Sequence, residues 1–94
     1  MQQNTTENFF QLNYPNLFSS MFLSELKPLQ EAVIESFTDE EISLKLLEMG
    51  CIPGEKISIE RVAPFGDPIA VSVSGYLLAM RKSEAATVVV SLLT

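Results

Sequence analysis

The sequence predicts a small, mainly β domain: five short strands forming a closed or nearly closed barrel, with one α-helix after the first strand. Three observations lead there. Short runs of alternating apolar and polar residues fill the chain beyond residue 56, one strongly capped amphipathic segment spans 39–49, and Gly/Pro corners separate the runs. Closing such a sheet removes the free edges that would otherwise promote aggregation.

The elements follow in order. Residues 1–22 read as an N-terminal extension and residues 23–94 as the barrel domain. Residues 1–13, rich in Gln, Asn and Thr and broken by Phe9, Phe10 and Leu12, read as a tail that is at least partly flexible. From Pro15 to Leu23, Leu17, Phe18, Met21 and Phe22 fall at i, i+1, i+4 and i+5, one face of a short helix. Pro15 suits its first turn, where no amide donor is needed. A helix of two or three turns is marginal alone, so its face must pack on the barrel, on a second copy or on another protein. Packing on a second copy would make the extension a route to homo-oligomers.

Leu26-Lys27-Pro28-Leu29 reads as a loop into a first strand, Glu31 to Phe37, centred on Ala32-Val33-Ile34. Thr38 followed by Asp39, Glu40 and Glu41 predicts a capping box. In it the Thr38 hydroxyl accepts from the third amide and Glu41 accepts from the Thr38 amide. The acids also suit the positive end of the helix dipole. Ile42, Leu46 and Met49, with Leu47 beside them, form the apolar face. Gly50 stands where a left-handed C-terminal cap is wanted, and Pro53 forbids continuation.

Lys56-Ile57-Ser58-Ile59 alternates with both isoleucines inward. Val62 breaks that phase and predicts a bulge near Glu60-Arg61. Pro64-Phe65-Gly66-Asp67-Pro68 is a corner, with Asp67 accepting a local amide bond. Ile69, Val71 and Val73 alternate with Ala70, Ser72 and Ser74 over a half-exposed strand, and Gly75 allows a sharp change of direction. Tyr76 to Met80 is apolar on both faces, which predicts a central strand. Arg81 to Ala85 is a polar link of about one helical turn, and Val88-Val89-Val90 closes the sheet.

Composition narrows the function. Six basic residues against twelve acidic ones give a formal net charge of −6, which argues against binding a nucleic-acid backbone or an anionic lipid surface. No apolar run approaches the ~20 residues needed to span a bilayer. Met1 to Glu7 lacks the charge and apolar run of a signal peptide, so a cytoplasmic location is expected. The single cysteine, Cys51, forbids an intrachain disulfide and fits a reducing compartment. Histidine is absent, which removes the commonest general base and transition-metal ligand.

No nucleophile–base pair is visible, so no enzyme and no cofactor are expected. Cys51 with Met49 and Met80 forms a weak candidate for soft-metal association, but a structural zinc site wants four Cys or His ligands. Phe65 at a turn either marks a contact site or folds back over the open end of the barrel.

Three ordered blocks carry a family resemblance. Leu46-Leu47-Glu48-Met49-Gly50-Cys51-Ile52-Pro53-Gly54, Ala63-Pro64-Phe65-Gly66-Asp67-Pro68-Ile69 and Gly75 through Ala85 resemble the characteristic stretches of the FeoA family of ferrous-iron uptake proteins. Leu26-Lys27-Pro28 resembles the family's opening, so the likeness covers about residues 23–92. It implies an SH3-like barrel. It also implies an accessory or regulatory role in iron uptake through docking on the cytoplasmic part of FeoB, a membrane transporter with a GTP-binding domain. The expected docking surface is Lys45, Glu48, Pro64, Phe65, Asp67, Tyr76 and Arg81, with Gly50, Gly54, Gly66 and Gly75 shaping the backbone. Family descriptions also carry a general label of transition-metal association. The alternatives are a metal sensor or carrier using Cys51, and a self-associating adaptor for another partner. Lys45 stands where the family usually has Arg, and Leu29 replaces an expected Gly, which implies a first turn of different shape.

Overall fold

A computed structural model describes residues 20–93. Among these residues six strands form one sheet: β1 Ser20–Phe22, β2 Glu31–Phe37, β3 Lys56–Val62, β4 Ile69–Val73, β5 Tyr76–Met80 and β6 Val88–Leu92. Helix α1 is Glu40–Glu48, the one-turn α2 is Lys82–Ala85, and a 3₁₀ turn covers Leu23–Glu25. The strand order is β1-β6-β2-β3-β4-β5, with every neighbouring pair antiparallel.

Two features differ from the expected five-stranded, closed or nearly closed barrel. Among the described residues the sheet has a sixth strand, and it ends at β1 and β5 without a ladder joining them. The sixth strand, β1, lies where the sequence predicts the end of a helix. Ser20, Met21 and Phe22 pair with Ser91, Val90 and Val89 instead. A short helix carries little stability of its own, whereas the β6 edge offers ready-made backbone partners. The remainder of that predicted helix and the tail before it lie outside the described residues.

Strand β2 has the predicted limits. In β3, Ile57 and Ile59 are each 1% exposed, and the register against β4 shifts between Ile59 and Arg61, the predicted bulge. Strand β4 alternates buried Ile69, Val71 and Val73 with half-exposed Ala70 and Ser72, as its period of two requires.

Strand β5 is an edge, not the centre: Tyr76 is 73% and Leu77 62% exposed. Its apolar composition is equally compatible with both positions, and the tight Ser74-Gly75 connection commits it only to β4. Strand β6, expected to close the sheet, lies inside it between β1 and β2, and β2 and β3 hold the middle.

Helix α1 starts one residue later than predicted. Asp39, not Thr38, is the N-cap, its Oδ1 accepting from the Ile42 amide at 2.9 Å. Thr38 is drawn elsewhere: its amide donates to the Thr87 carbonyl at 2.8 Å, and its hydroxyl donates to the same oxygen at 3.4 Å. The carboxylate is also the better partner for the positive helix end. Glu41 is exposed in the first turn rather than part of a capping box. At the other end Gly50 has φ +103°, its amide donates to the Leu47 carbonyl at 3.0 Å, and the Cys51 amide donates to Leu46 at 2.9 Å. This is a Schellman cap, and the accompanying apolar contact joins fully buried Leu46 and Cys51.

The core lies between the sheet and the segments that cover it. Leu23 of the 3₁₀ turn, Leu46 of α1 and Ala85 of α2 are all inaccessible to solvent beside Ala32, Val71, Val88 and Val90. Burying each of the larger side chains contributes about 1.5–3 kcal/mol.

Candidate functional site

The two helices and the β3–β4 loop meet at a cleft of about 360 Å³. It is lined by Lys45 of α1, Asp67 and Pro68 of the loop, Ala79 and Met80 of β5, and Arg81 and Glu84 around α2. Three of the seven predicted contact residues, Lys45, Asp67 and Arg81, therefore share one concave surface.

Hydrogen bonds from distant parts of the chain fix its walls. Glu84, with only 12% of its side chain exposed, receives the Lys45 ammonium on Oε2 at 2.5 Å. Its Oε1 accepts from the Arg81 amide at 2.9 Å, closing the first turn of α2. With the two carboxylate oxygens divided in this way, a single-point ammonium suffices where a guanidinium fork would find only one oxygen open. The Lys45 hydrogen bond, then the Arg81 amide, hold the Glu84 carboxyl below the ordinary glutamate value, against the opposing effect of burial.

Asp67 does not cap its own corner as predicted. Its Oδ1 accepts from the Lys82 amide at 2.8 Å, tying the β3–β4 loop to the start of α2. The corner itself is closed by the Gly66 amide donating to the Ala63 carbonyl at 2.7 Å, with a cis bond between Asp67 and Pro68.

Of the two readings of Phe65, the structure supports exposure: it is 99% exposed at the tip of this loop beside Pro64. Glu48 is exposed one turn along α1 from Lys45 but does not line the cleft. Tyr76 begins β5, at the end away from Met80, and is separate from the cleft. Gly50, Gly54, Gly66 and Gly75 all adopt positive φ. Glu84 was missing from the predicted set, although its place three residues after Arg81 is the spacing of a side chain reaching back to a first-turn amide.

Cys51 is fully buried at the helix cap, and burial raises its thiol pKa. Among the described residues no three Cys, Asp or Glu side chains converge as metal ligands would. Nor is any described helix long and apolar enough to cross a membrane.

Comparison with known proteins gives one consistent picture. Residues 21–92 match the FeoA domain family. The chain is 33% identical over 75 residues to an Fe(2+) transport protein A/Fe(2+) transporter FeoB fusion protein of Porphyromonas gingivalis. That alignment covers 79% of the chain but only 9% of the fusion protein's length. The solution structure of a FeoA-like protein from Clostridium acetobutylicum superposes with a TM-score of 0.76 at 35% identity, over 81% of this chain and 90% of that one. A zinc complex of Stenotrophomonas maltophilia FeoA, described as an SH3 domain protein, gives 0.67 at 38% identity, over 76% and 89% of the two chains.

Proposed function

The chain belongs to the FeoA domain family, and on that premise we propose that it is a non-catalytic accessory protein of ferrous iron uptake. In this reading it works in the cytoplasm by docking on the cytoplasmic part of a FeoB-type transporter. The observation that carries the proposal is the Porphyromonas relative, in which FeoA and FeoB are one polypeptide. A covalent link holds two partners at high effective concentration, so a separate chain of the same kind needs a contact surface in its place.

The cleft beside the Phe65 turn supports that role. A fully exposed phenylalanine forgoes about 1.5–3 kcal/mol of burial, which a partner can supply. Lys45, Pro64, Phe65, Asp67 and Arg81 form the centre of the proposed surface, with Glu48 and Tyr76 at its margins. An interface below ~1,200 Å² would suit a transient regulatory contact.

The test is a calorimetric titration of the full-length chain with the cytoplasmic region of a FeoB transporter. Binding by the wild type, weakened in a Phe65→Ala/Lys45→Glu double variant, is the expected result. Absence of wild-type binding, or undiminished binding by the variant, would remove the proposal. No metal or cofactor is assigned in this reading.

A further inference from the structure

Beyond Pro68 and Ala79 the cleft continues into a smaller hollow of about 290 Å³ on the outward face of β3, β4 and β5. Arg61, Ala70 and Ala79 form one cross-strand row along it, and Pro64 stands at its loop end beside Phe65. Ala70 lies between buried Ile69 and Val71 in its strand, so it faces away from the core. The floor of this hollow is therefore made of small apolar side chains.

The chain has only two arginines, and one lines each half of this two-part groove: Arg61 the hollow, Arg81 the cleft. Both are exposed, and neither forms an ion pair among the described residues, although the chain carries twelve carboxylate side chains. The nearby acids are committed or turned elsewhere. Asp67 accepts from the Lys82 amide, and Glu84 accepts from Lys45 and from the Arg81 amide. Glu60, the chain neighbour of Arg61 at the bulge, makes no ion pair with it.

From strand spacing, two strands across and two residues along place the Arg61 and Arg81 Cα atoms roughly 12 Å apart. That separation fits carboxylates about two to four residues apart in an extended chain, each received by a planar guanidinium fork.

We propose that this groove takes an acidic, extended peptide segment of the protein partner, its carboxylates paired with Arg61 and Arg81. An intervening apolar side chain rests on Ala70 and Ala79 against Phe65. The inference rests on the docking reading above and specifies the chemistry of what docks. Charge complementarity favours this occupant: neither arginine has a carboxylate in ion-pair contact among the described residues, and Arg81 acts on Glu84 only as the weakest of the influences on that carboxyl.

Two measurements test it on the full chain. In the first, a short capped peptide with Glu at alternate positions, and its Gln counterpart, are titrated into labelled protein by NMR. Amide shifts at Arg61, Ala70, Ala79 and Arg81 with the Glu peptide alone, lost in Arg61→Gln/Arg81→Gln, are the expected outcome. Equal binding of the Gln peptide, shifts elsewhere or no shifts overturn the inference. In the second, the double variant should bind the cytoplasmic region of a FeoB transporter at least about tenfold more weakly, with a shallower salt dependence. Unchanged binding there overturns the groove while leaving docking intact. Groove binding of the peptide with no wild-type binding to the transporter region upholds the groove and removes the docking reading. Self-association of the wild type that disappears in the double variant would put a second copy in the groove, and also overturns the proposal.

Discussion

Leu29 holds a glycine's backbone conformation, and replacing it should stabilise the protein. It sits third in a turn closed by the Gln30 amide donating to the Lys27 carbonyl at 3.1 Å, with Pro28 second and Leu29 at φ +73°. That is the type II pattern, which wants glycine at the third position. A leucine there costs roughly 1–2 kcal/mol, because its Cβ crowds the following carbonyl. The turn is nevertheless anchored: the Leu29 amide donates to the Ile59 carbonyl at 3.0 Å, and Pro28 bridges Ile59. The side chain returns little of that cost, being 80% exposed.

Leu29→Gly relieves the strain but adds freedom to the unfolded chain, a loss of roughly 0.5–1 kcal/mol. At the centre of those ranges the net gain is about 0.75 kcal/mol, or a rise in Tm of about 3–6 °C for a domain of this size. Leu29→Ala separates strain from exposure, since it removes the same exposed apolar surface but keeps the Cβ. Thermal melts followed by circular dichroism, with urea titration as a second probe, would show the glycine variant raised and the alanine variant close to wild type. If alanine stabilised as much as glycine, or glycine did not stabilise at all, the strain argument would be refuted.

Three further expectations follow from the same geometry. The Lys45–Glu84 bond lowers the Glu84 pKa from its ordinary 4.5, so its stabilisation is present above that value and lost as pH falls through the lower folded-state value. Melts of Lys45→Met should lie below wild type at pH 7, by less than ~1 kcal/mol since Lys45 is 60% exposed, and converge with it in acid. Asp39→Ala should cost about 1 kcal/mol in urea unfolding and Thr38→Ala distinctly less; the reverse order would return the N-cap to Thr38. Phe65→Ala should leave stability within about 0.5 kcal/mol of wild type, because the ring has no burial to lose.

Local features could be read directly from the sequence because their partners lie within a few residues. The strand phases of β3 and β4, the bulge near Arg61 and the Gly50 cap depend on period-two burial and on short hydrogen-bonded turns. The helix was legible for the same reason, yet its first residue was misplaced by one. Thr38 and Asp39 are both competent caps, and the choice fell to a carbonyl 49 positions away in Thr87. The candidate site was visible only in part. Lys45, Asp67 and Arg81 could be named from motif resemblance, but Glu84 is joined to Lys45 across 39 residues and Asp67 to Lys82 across 15.

Phe65 looked ambiguous in the sequence because a phenylalanine at a turn is compatible with either burial or contact. Only the closed Ala63–Gly66 turn, which carries the ring outward, removes the ambiguity. Leu29 makes the complementary point. Its departure from an expected glycine was legible, but the left-handed backbone that makes the departure costly was not.

Residue order alone was enough for a mainly β domain with one capped helix, because pleat periodicity and capping chemistry act over one or two turns of chain. The number of strands, the open sheet and the exposed position of β5 were decided in three dimensions. Strand pairing depends on which backbone edges other segments leave unpaired, and no local window of sequence carries that information.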